Sequence, residues 1–302
     1  MTDITIINLD EQFAPCGSGI KYEKTTFPSK FEVNVRLPFI PKSNKVLITT
    51  RIFSSNDIFF LLLATDAVKR LGVKDISVFI PYLPYARQDR AMIDAEETQT
   101  TEPYQEALSL KVFADILNLQ GYSNVFILDP HSDVSGALIN NMRKLTNHLF
   151  IKKVANDLVR YRIACPDAGA EKKILKLCKA IGYEDEIIMC EKVRDVKLGK
   201  LVSVKVHADN LEGNNILIVD DICDGGGTFI MQAQELHKKN CGTISLAVTH
   251  GLFTHWSGVK VILEQVNSIY TTDSICSAEY NPFLHISPIE ELNYQSQIFK
   301  TI

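Results

Sequence analysis

One short stretch of the sequence combines residue types that handle phosphates and divalent cations. An apolar run at residues 216–219 is followed by three aspartates, three glycines and a threonine: Asp220, Asp221, Asp224, Gly225, Gly226, Gly227 and Thr228. Glycines let backbone N–H groups turn toward an anion, and a following helix adds the positive end of its dipole. The carboxylates can accept hydrogen bonds from sugar hydroxyls or hold a hydrated metal ion. The stretch therefore indicates a site for a sugar phosphate and a cation.

The alternative interpretation is a glycine-rich turn whose carboxylates serve only as charges near a helix N terminus. Three consecutive glycines so soon after an acidic pair on an apolar strand favour the phosphate site instead. Other phosphate-binding motifs do not occur in the sequence. It contains no G-x-x-x-x-G-K-[ST], and no G-x-G-x-x-G follows a strand. A nucleoside triphosphate, if one is used, is therefore bound without a Walker loop.

The composition is that of a globular protein, with 302 residues of which 46% are hydrophobic and 23% are charged. The formal net charge of −4 provides no positive field, so neither nucleic acid nor a membrane is expected as a partner. Apolar runs fall short of the roughly 20 residues that span a bilayer, and no signal peptide is visible. We expect a cytoplasmic protein whose seven scattered cysteines are reduced.

The elements that position these residues alternate along the chain. Short β-branched runs predict strands at 46–50, 76–81 and 125–129, and again at 163–165, 186–190, 216–220, 244–249 and 268–272. Segments with helical period lie between them, at 57–70, 108–118, 171–181 and 229–239. Such alternation predicts parallel sheets covered by helices. We therefore predict an α/β protein with two domains, residues 1–148 and 149–302.

Four stretches together resemble one enzyme family, the ribose-phosphate diphosphokinases. Residues 219–228 resemble the phosphoribosyl-binding motif of type I phosphoribosyltransferases, which this family writes as D-D-x-x-D-T-G-G-T. I-P-Y-L-P-Y-A-R-Q-D-R at 80–90 is similar to its V-I-P-Y-x-x-Y-A-R-Q-D-R. C-P-D-A-G at 165–169 and E-K-V-R at 191–194 resemble its S-P-D-x-G and D-K-R-R. The order and spacing of the four are similar along nearly the whole chain.

The resemblance implies two tandem phosphoribosyltransferase-like domains, each a mostly parallel sheet flanked by helices. The first would contact ATP and the second would carry the ribose-phosphate loop. The implied reaction transfers a diphosphate group from ATP to the C1 hydroxyl of ribose 5-phosphate, giving phosphoribosyl diphosphate and AMP with Mg²⁺ as cofactor. A homo-oligomer built from dimers, up to a hexamer, is also implied. Whether the last residues pack back on the first domain is left open.

The resemblance also assigns roles to individual residues. It implies ATP contacts for Glu32, Arg87, Gln88 and Asp89, magnesium ligation for His131 and Asp167, catalysis for Lys192 and Arg194, ribose contacts for Asp220 and Asp221, and contacts to the 5′-phosphate for Asp224, Gly225, Gly226, Gly227 and Thr228. Taken singly, the charged residues would also be consistent with a solvated surface cluster, and the histidine with a structural role. Their common order with the family motifs favours function.

The sequence departs from the family pattern at several points. Gly225 stands where the family usually has threonine, which removes one hydroxyl donor to the 5′-phosphate and opens space beside it. We therefore expect that the acceptor could be larger, for example ADP-ribose, which would give ADP-ribose 1-diphosphate. The family's D-G-E is Lys30-Phe31-Glu32 here, and its D-L-H-A is Asp129-Pro130-His131-Ser132. No role is carried over to the segment 91–106.

Two further functions remain open from the sequence. A phosphoribosyltransferase that joins activated ribose to a base would share the loop, but it would not need the motif at 80–90 or a second α/β unit. A non-catalytic regulatory subunit is the other alternative. It would have no physical need to retain Lys192, Arg194 and the acidic loop.

Overall fold

A computed structural model describes residues 4–28, 32–37, 43–90, 106–194, 201–254, 256–276 and 281–302. The chain divides into two units, one made of Met1–Leu145 with Tyr294–Ile302 and the other of Thr146–Asn293. The division lies three residues before the boundary at 148 that the sequence suggested, and the last nine residues group with the first unit. In that unit, Gln295 Nε2 donates a hydrogen bond to the carbonyl of Cys16 at 3.1 Å.

Up to Leu145, the described residues of the first unit form seven strands and three helices: β1 Thr5–Asn8, β2 Glu23–Thr26, β3 Val33–Arg36, β4 Lys45–Thr49, α1 Ser55–Arg70, β5 Asp75–Ile80, α2 Ser109–Leu119, β6 Asn124–Leu128, α3 Val134–Leu138 and β7 Met142–Leu145. Five strands form a parallel sheet in the order β1-β4-β5-β6-β7. Strands β2 and β3 form a separate antiparallel pair. The outer strands β1 and β7 and the β2–β3 pair were not expected from the sequence.

The core of the first unit lies between its parallel sheet and the two longer helices. Alternate strand residues such as Val46, Val78 and Ile127 cluster with one face of α1 and of α2. A capping box closes the start of α1, where Ser54 and Asp57 bond each other's backbone N–H groups. The strands are buried along most of their length, as expected for a parallel sheet covered by helices.

In the part of the second unit that the structure describes, there are seven strands, four helices and one 3-10 turn: α4 His148–Asp157, β8 Arg162–Cys165, α5 Glu171–Ile181, β9 Ile188–Arg194, β10 Leu201–Val206, β11 Ile216–Cys223, α6 Gly227–Lys238, β12 Ile244–Gly251, α7 Trp256–Leu263, β13 Ser268–Thr272, β14 Leu284–Ser287 and the 3-10 turn Ile289–Leu292. The sheet order is β10-β9-β8-β11-β12-β13-β14. Every pairing in it is parallel except β10 with β9. The chain ends with α8, Tyr294–Thr301, in the first unit.

The predicted fold class is confirmed, since both units are mostly parallel sheets with helices. The core of the second unit joins strand residues such as Ile218 and Leu246 to Phe229 and Ala233 of α6. The seven cysteines, all within the described residues, form no disulfide, and six of them are buried. Within the described residues, no helix is both long and apolar enough to cross a membrane.

Candidate functional site

Three neighbouring strands of the second unit bring the predicted site residues to one edge of its sheet. Strand β11 lies between β8 and β12, and all three run parallel. Because the carboxyl ends of parallel strands meet at the same edge, the segments that follow them lie side by side. These segments contain Asp167 after β8, the glycine loop after β11 and the turn 252–254 after β12.

The acidic pair Asp220 and Asp221 lies within β11, which runs three residues further than the sequence suggested. Aspartate is a poor strand former, but here pairing with β12 extends the strand to Cys223. The Asp221 N–H donates to Oδ1 of Asp220 at 2.8 Å. Burial, followed by the charge of Asp221, raises the pKa of Asp220 well above its ordinary value, while Lys173 opposes that shift. The pair therefore concentrates negative charge that a bound cation or sugar hydroxyl would relieve.

The three glycines of the loop have different surroundings. Gly226 has φ of +76°, and a Cβ there would lie 2.3 Å from Cδ1 of Ile262, so only glycine fits without strain. Gly225 is exposed and lacks a positive φ, and no atom lies within 4 Å of a Cβ built on it. Helix α6 then begins at Gly227 without a side-chain cap. Its first N–H groups and its dipole therefore suit an anion such as phosphate.

Asp167 and Lys192 form an ion pair beside this loop. Lys192 Nζ lies 2.5 Å from Oδ2 of Asp167, while Oδ1 accepts the N–H of Ala170 at 3.0 Å. Burial alone would raise the pKa of Asp167, but Lys192 and the N–H groups of Ala170 and Gly169 outweigh it and lower that pKa. The side chains of Lys192 and Asp167 are 23% and 28% exposed. The structure thus brings one predicted catalytic residue to one predicted metal ligand, and Arg194 ends the same strand β9.

Two residues of the second unit near this site were missed from the sequence. Thr254, in the turn after β12, donates a hydrogen bond from its hydroxyl to Oδ1 of Asp224. Lys173, in the first turn of α5, lies near enough to Asp220 to oppose the rise in the pKa of Asp220. No signal in the sequence pointed to Thr254, because its contact with Asp224 depends on β12 lying next to the strand that carries the loop.

The remaining predicted residues belong to the first unit. Arg87 and Gln88 are exposed in the segment after β5, and Asp89 lies 4.0 Å from Arg90. The exposed His131 follows β6, and the two segments are joined where the Leu128 N–H donates to the carbonyl of Pro81 at 3.1 Å. Strands β5 and β6 are adjacent and parallel, so these segments share one edge of the first sheet.

The structure also shows where Glu32 and the two predicted metal ligands lie. Glu32 is exposed just before β3, and its carbonyl accepts the N–H of Phe27 at 2.9 Å. Among the residues that the structure describes, no three histidine, cysteine or carboxylate side chains are grouped to hold a metal ion. The predicted ligand pair is divided between the units, with His131 in the first and Asp167 in the second.

An ion pair at the same edge of the first sheet was also missed. Arg51, directly beyond β4, is only 5% exposed, and its Nε lies 2.6 Å from Oδ2 of Asp10. Its guanidinium lies 5.3 Å from the ring centre of Phe13 and 5.2 Å from that of Phe53. The sequence gives a strand at 46–50 but no sign that the charged residue after it is buried.

Comparison with known proteins shows which proteins the chain resembles. Residues 21–121 match the family model of the N-terminal domain of ribose phosphate pyrophosphokinase. Ribose-phosphate pyrophosphokinase from Saccharolobus solfataricus is 27% identical over 251 residues, which cover 82% of this chain and 81% of that protein. The protein of that name from Mycoplasma pneumoniae is 33% identical over 203 residues, 64% of this chain and 56% of that protein. The chain is therefore similar to ribose-phosphate pyrophosphokinases along most of its length, as the sequence motifs predicted.

The fold of this chain is also found in a solved structure. Phosphoribosylpyrophosphate synthetase from Mycobacterium smegmatis aligns with 99% of this chain and 100% of that chain, with a TM-score of 0.80 and 18% identity. At that identity the likeness concerns the fold alone. The family, its enzyme class and the α/β fold predicted from the sequence are therefore confirmed, whereas the roles of individual residues stay predictions.

Proposed function

We propose that this chain transfers the diphosphate group of ATP to the C1 hydroxyl of a 5′-phosphorylated ribose and releases AMP. The observation that carries the proposal is the arrangement on β11, where an acidic pair, with Asp221 buried and Asp220 half-buried, is followed by a glycine loop and a helix without a side-chain cap. The loop suits a phosphate, and the carboxylates suit the hydroxyls of the attached sugar. Named relatives that act on ribose phosphate add independent support.

The chain's own residues would act mainly by positioning and by charge. The glycine loop would hold the 5′-phosphate through its N–H groups, while Asp220 and Asp221 would orient the ribose ring. Lys192 would neutralise charge on the transferring phosphoryl oxygens, aided by Arg194. Arg87, Gln88 and Asp89, with Glu32, would contact ATP. Such a reaction needs no covalent nucleophile, since the sugar hydroxyl itself attacks.

The donor set fits Mg²⁺, because this ion prefers oxygen ligands and commonly binds one or two protein carboxylates together with substrate phosphates. Asp167 would hold it in the second unit, where the acidic pair on β11 offers two more carboxylates, and the ligand role of His131 in the first unit stays a prediction. Asp167 already accepts a cation, the ammonium of Lys192, at 2.5 Å. When bound, Mg²⁺ would offset the charge of the phosphates that are brought together.

The direct test is AMP release by the purified full chain supplied with ATP, Mg²⁺ and ribose 5-phosphate, with product masses recorded. AMP together with a sugar product heavier by one diphosphate group would support the proposal. Base-dependent release of diphosphate from phosphoribosyl diphosphate, without AMP formation, would support a phosphoribosyltransferase instead. Absence of turnover in every combination would support a regulatory subunit. Light scattering of the same sample would test the proposed homo-oligomer.

A second acceptor is favoured by the surroundings of Gly225. The site is open there, and the family's usual threonine hydroxyl is missing. A phosphate esterified to a further group, as in ADP-ribose, needs space at this point and fewer donors to a terminal oxygen. The Gly225→Thr variant would fit sterically, since the backbone is not left-handed and no atom lies within 4 Å of the new Cβ.

Assays of both acceptors, ribose 5-phosphate and ADP-ribose, with the parent chain and with the Gly225→Thr variant distinguish the two activities. If ADP-ribose is the acceptor, the parent prefers it, and threonine shifts the ratio of kcat/KM values toward ribose 5-phosphate by about 5–50-fold, the effect of one charge-assisted hydrogen bond. A parent that uses only ribose 5-phosphate would contradict the larger acceptor.

A further inference from the structure

The turn 252–254 after β12 is hydrogen-bonded to the residues at the start of the glycine loop, which is the proposed phosphate loop. The N–H groups of Leu252 and Phe253 both donate to the carbonyl of Cys223, at 2.9 and 3.3 Å. The next residue, Thr254, donates its hydroxyl to Oδ1 of Asp224. Consecutive residues of one turn therefore bond consecutive residues of the loop, first through the backbone and then through a side chain.

The backbone of this turn is strained in a way that fixes the position of Thr254. Phe253 has φ of +42°, which is costly for a residue with a large side chain. Its ring is buried, and a Cβ on Gly251 would lie 2.3 Å from ring atom Cε2, so glycine is needed for the ring to take this place. Strain of this kind persists only where the surroundings impose it, and here it directs the Thr254 side chain at Asp224.

The charge of Asp224 gives this contact a function. Asp224 is a carboxylate at the start of a loop whose N–H groups suit an anion, so rotation of its side chain toward the loop would bring negative charge close to the bound phosphate. A hydroxyl that binds one carboxylate oxygen limits that rotation. We propose that Thr254 is a positioning residue that fixes the Asp224 carboxylate relative to the phosphate loop. This inference rests on the proposed function, because it assumes that the loop binds a sugar phosphate.

The test uses the full chain with the variants Thr254→Val, Thr254→Ser, Asp224→Asn and Thr254→Val/Asp224→Asn. Valine keeps the shape of threonine but removes the hydroxyl, whereas serine keeps the hydroxyl. Thr25→Val, at an exposed position of β2 in the first unit, is the matched control. Calorimetry measures the Kd for ribose 5-phosphate and for ADP-ribose, and AMP release gives KM and kcat. Urea unfolding checks each variant for folding.

We expect Thr254→Val to raise the Kd and KM for the sugar phosphate roughly tenfold, the effect of losing one charge-assisted hydrogen bond, with the KM for ATP unchanged. Thr254→Ser should restore both constants, and Thr25→Val should behave like the parent. Because Thr254 acts through Asp224, valine should add nothing when Asp224 is already asparagine.

Three outcomes would overturn the positioning role: a full effect of valine in the asparagine background, a serine variant as weak as valine, or equal changes in the KM values for ATP and sugar. A parent chain that binds neither sugar phosphate would instead refute the proposed function itself, together with this inference. If the parent chain binds the sugar phosphate and turns over normally, but one of the three outcomes is seen, the inference alone has failed.

Discussion

The ion pair between Lys192 and Asp167 should contribute more to stability than other ion pairs of similar length. Both side chains are about three-quarters buried, and the charged atoms lie 2.5 Å apart. Exposed pairs contribute about 0–1 kcal/mol, whereas breaking a fully buried pair costs about 3–5 kcal/mol. The intermediate exposure of this pair places its coupling energy at about 1–2 kcal/mol. The partners Lys153 and Glu291, 2.7 Å apart and 40% and 58% exposed, should couple by less than about 1 kcal/mol.

Two double-mutant cycles measure this difference. One combines Lys192→Met with Asp167→Asn, and the other combines Lys153→Met with Glu291→Gln. Urea unfolding is followed by the fluorescence of Trp256, the single tryptophan of the sequence, which belongs to α7 in the unit that contains both pairs. The measured quantity is the coupling free energy of each pair at pH 7.

The pH dependence supplies a second check with a defined sign. The folded-state pKa of Asp167 lies below its ordinary value of 3.8, so its contribution is present above that pH and is lost as pH falls through the lower folded-state pKa. The coupling should therefore be constant from pH 7 to about 5 and decline in stronger acid. Equal couplings for the two pairs, or a coupling that persists in acid, would refute the reasoning from burial.

Three further predictions concern the glycine loop, the acidic pair on β11 and Lys192 on β9. Gly226→Ala should lower the free energy of unfolding by about 2–4 kcal/mol, because the backbone there is left-handed and the new Cβ would clash with Ile262. Gly225→Ala should change that free energy by less than about 1 kcal/mol. Urea titrations of both variants test this, and equal effects would contradict the geometry of the loop. Asp220→Asn should stabilise the fold above pH 4 while weakening sugar-phosphate binding. The raised pKa of the Asp220 carboxyl means that it contributes stability below the ordinary value of 3.8, and that this stability is lost as the pH rises. The neutral amide of asparagine does not ionise and so avoids this loss. Unfolding midpoints between pH 4 and 8 test this, and a variant less stable than the parent throughout would disprove it. Lys192→Ala should reduce kcat by at least about 100-fold while the fold stays intact, because a charge that stabilises the transition state is lost. Normal AMP release by this variant would exclude Lys192 from the mechanism.

The sequence predicted the central strands well because burial on both faces makes them apolar and β-branched. The runs at 76–81 and 125–129 became β5 and β6 with shifts of one residue. Outer strands such as β1 and β14 are short and only partly buried, so their sequences lack that pattern. The length of β11 was underestimated for a related reason, since its last residues are held by pairing with β12 and not by their own propensity.

The glycine loop was predictable because its chemistry is local in sequence. Contacts that depend on a neighbouring strand were not: the hydroxyl of Thr254 meets Asp224 across 30 positions, and Asp10 meets Arg51 across 41. Lys192 and Asp167 were each recognised, but their pairing required the register of β9 against β8. Sequence patterns thus indicate which residues carry chemistry, and the sheet order determines which of them meet.

The return of the last nine residues to the first unit has a consequence for synthesis of the protein. Tyr294 and Ile298 of α8 are buried, yet roughly 150 residues of the second unit separate them from Leu145. At about 5–20 residues per second, the ribosome would take roughly 7–30 s to deliver this segment after the rest of the first unit has been made. The second unit can therefore fold while the first still lacks its closing helix. A chain truncated after Leu145 should consequently be less stable than the same unit in the complete protein, and adding residues 294–302 as a separate peptide should bind and stabilise it.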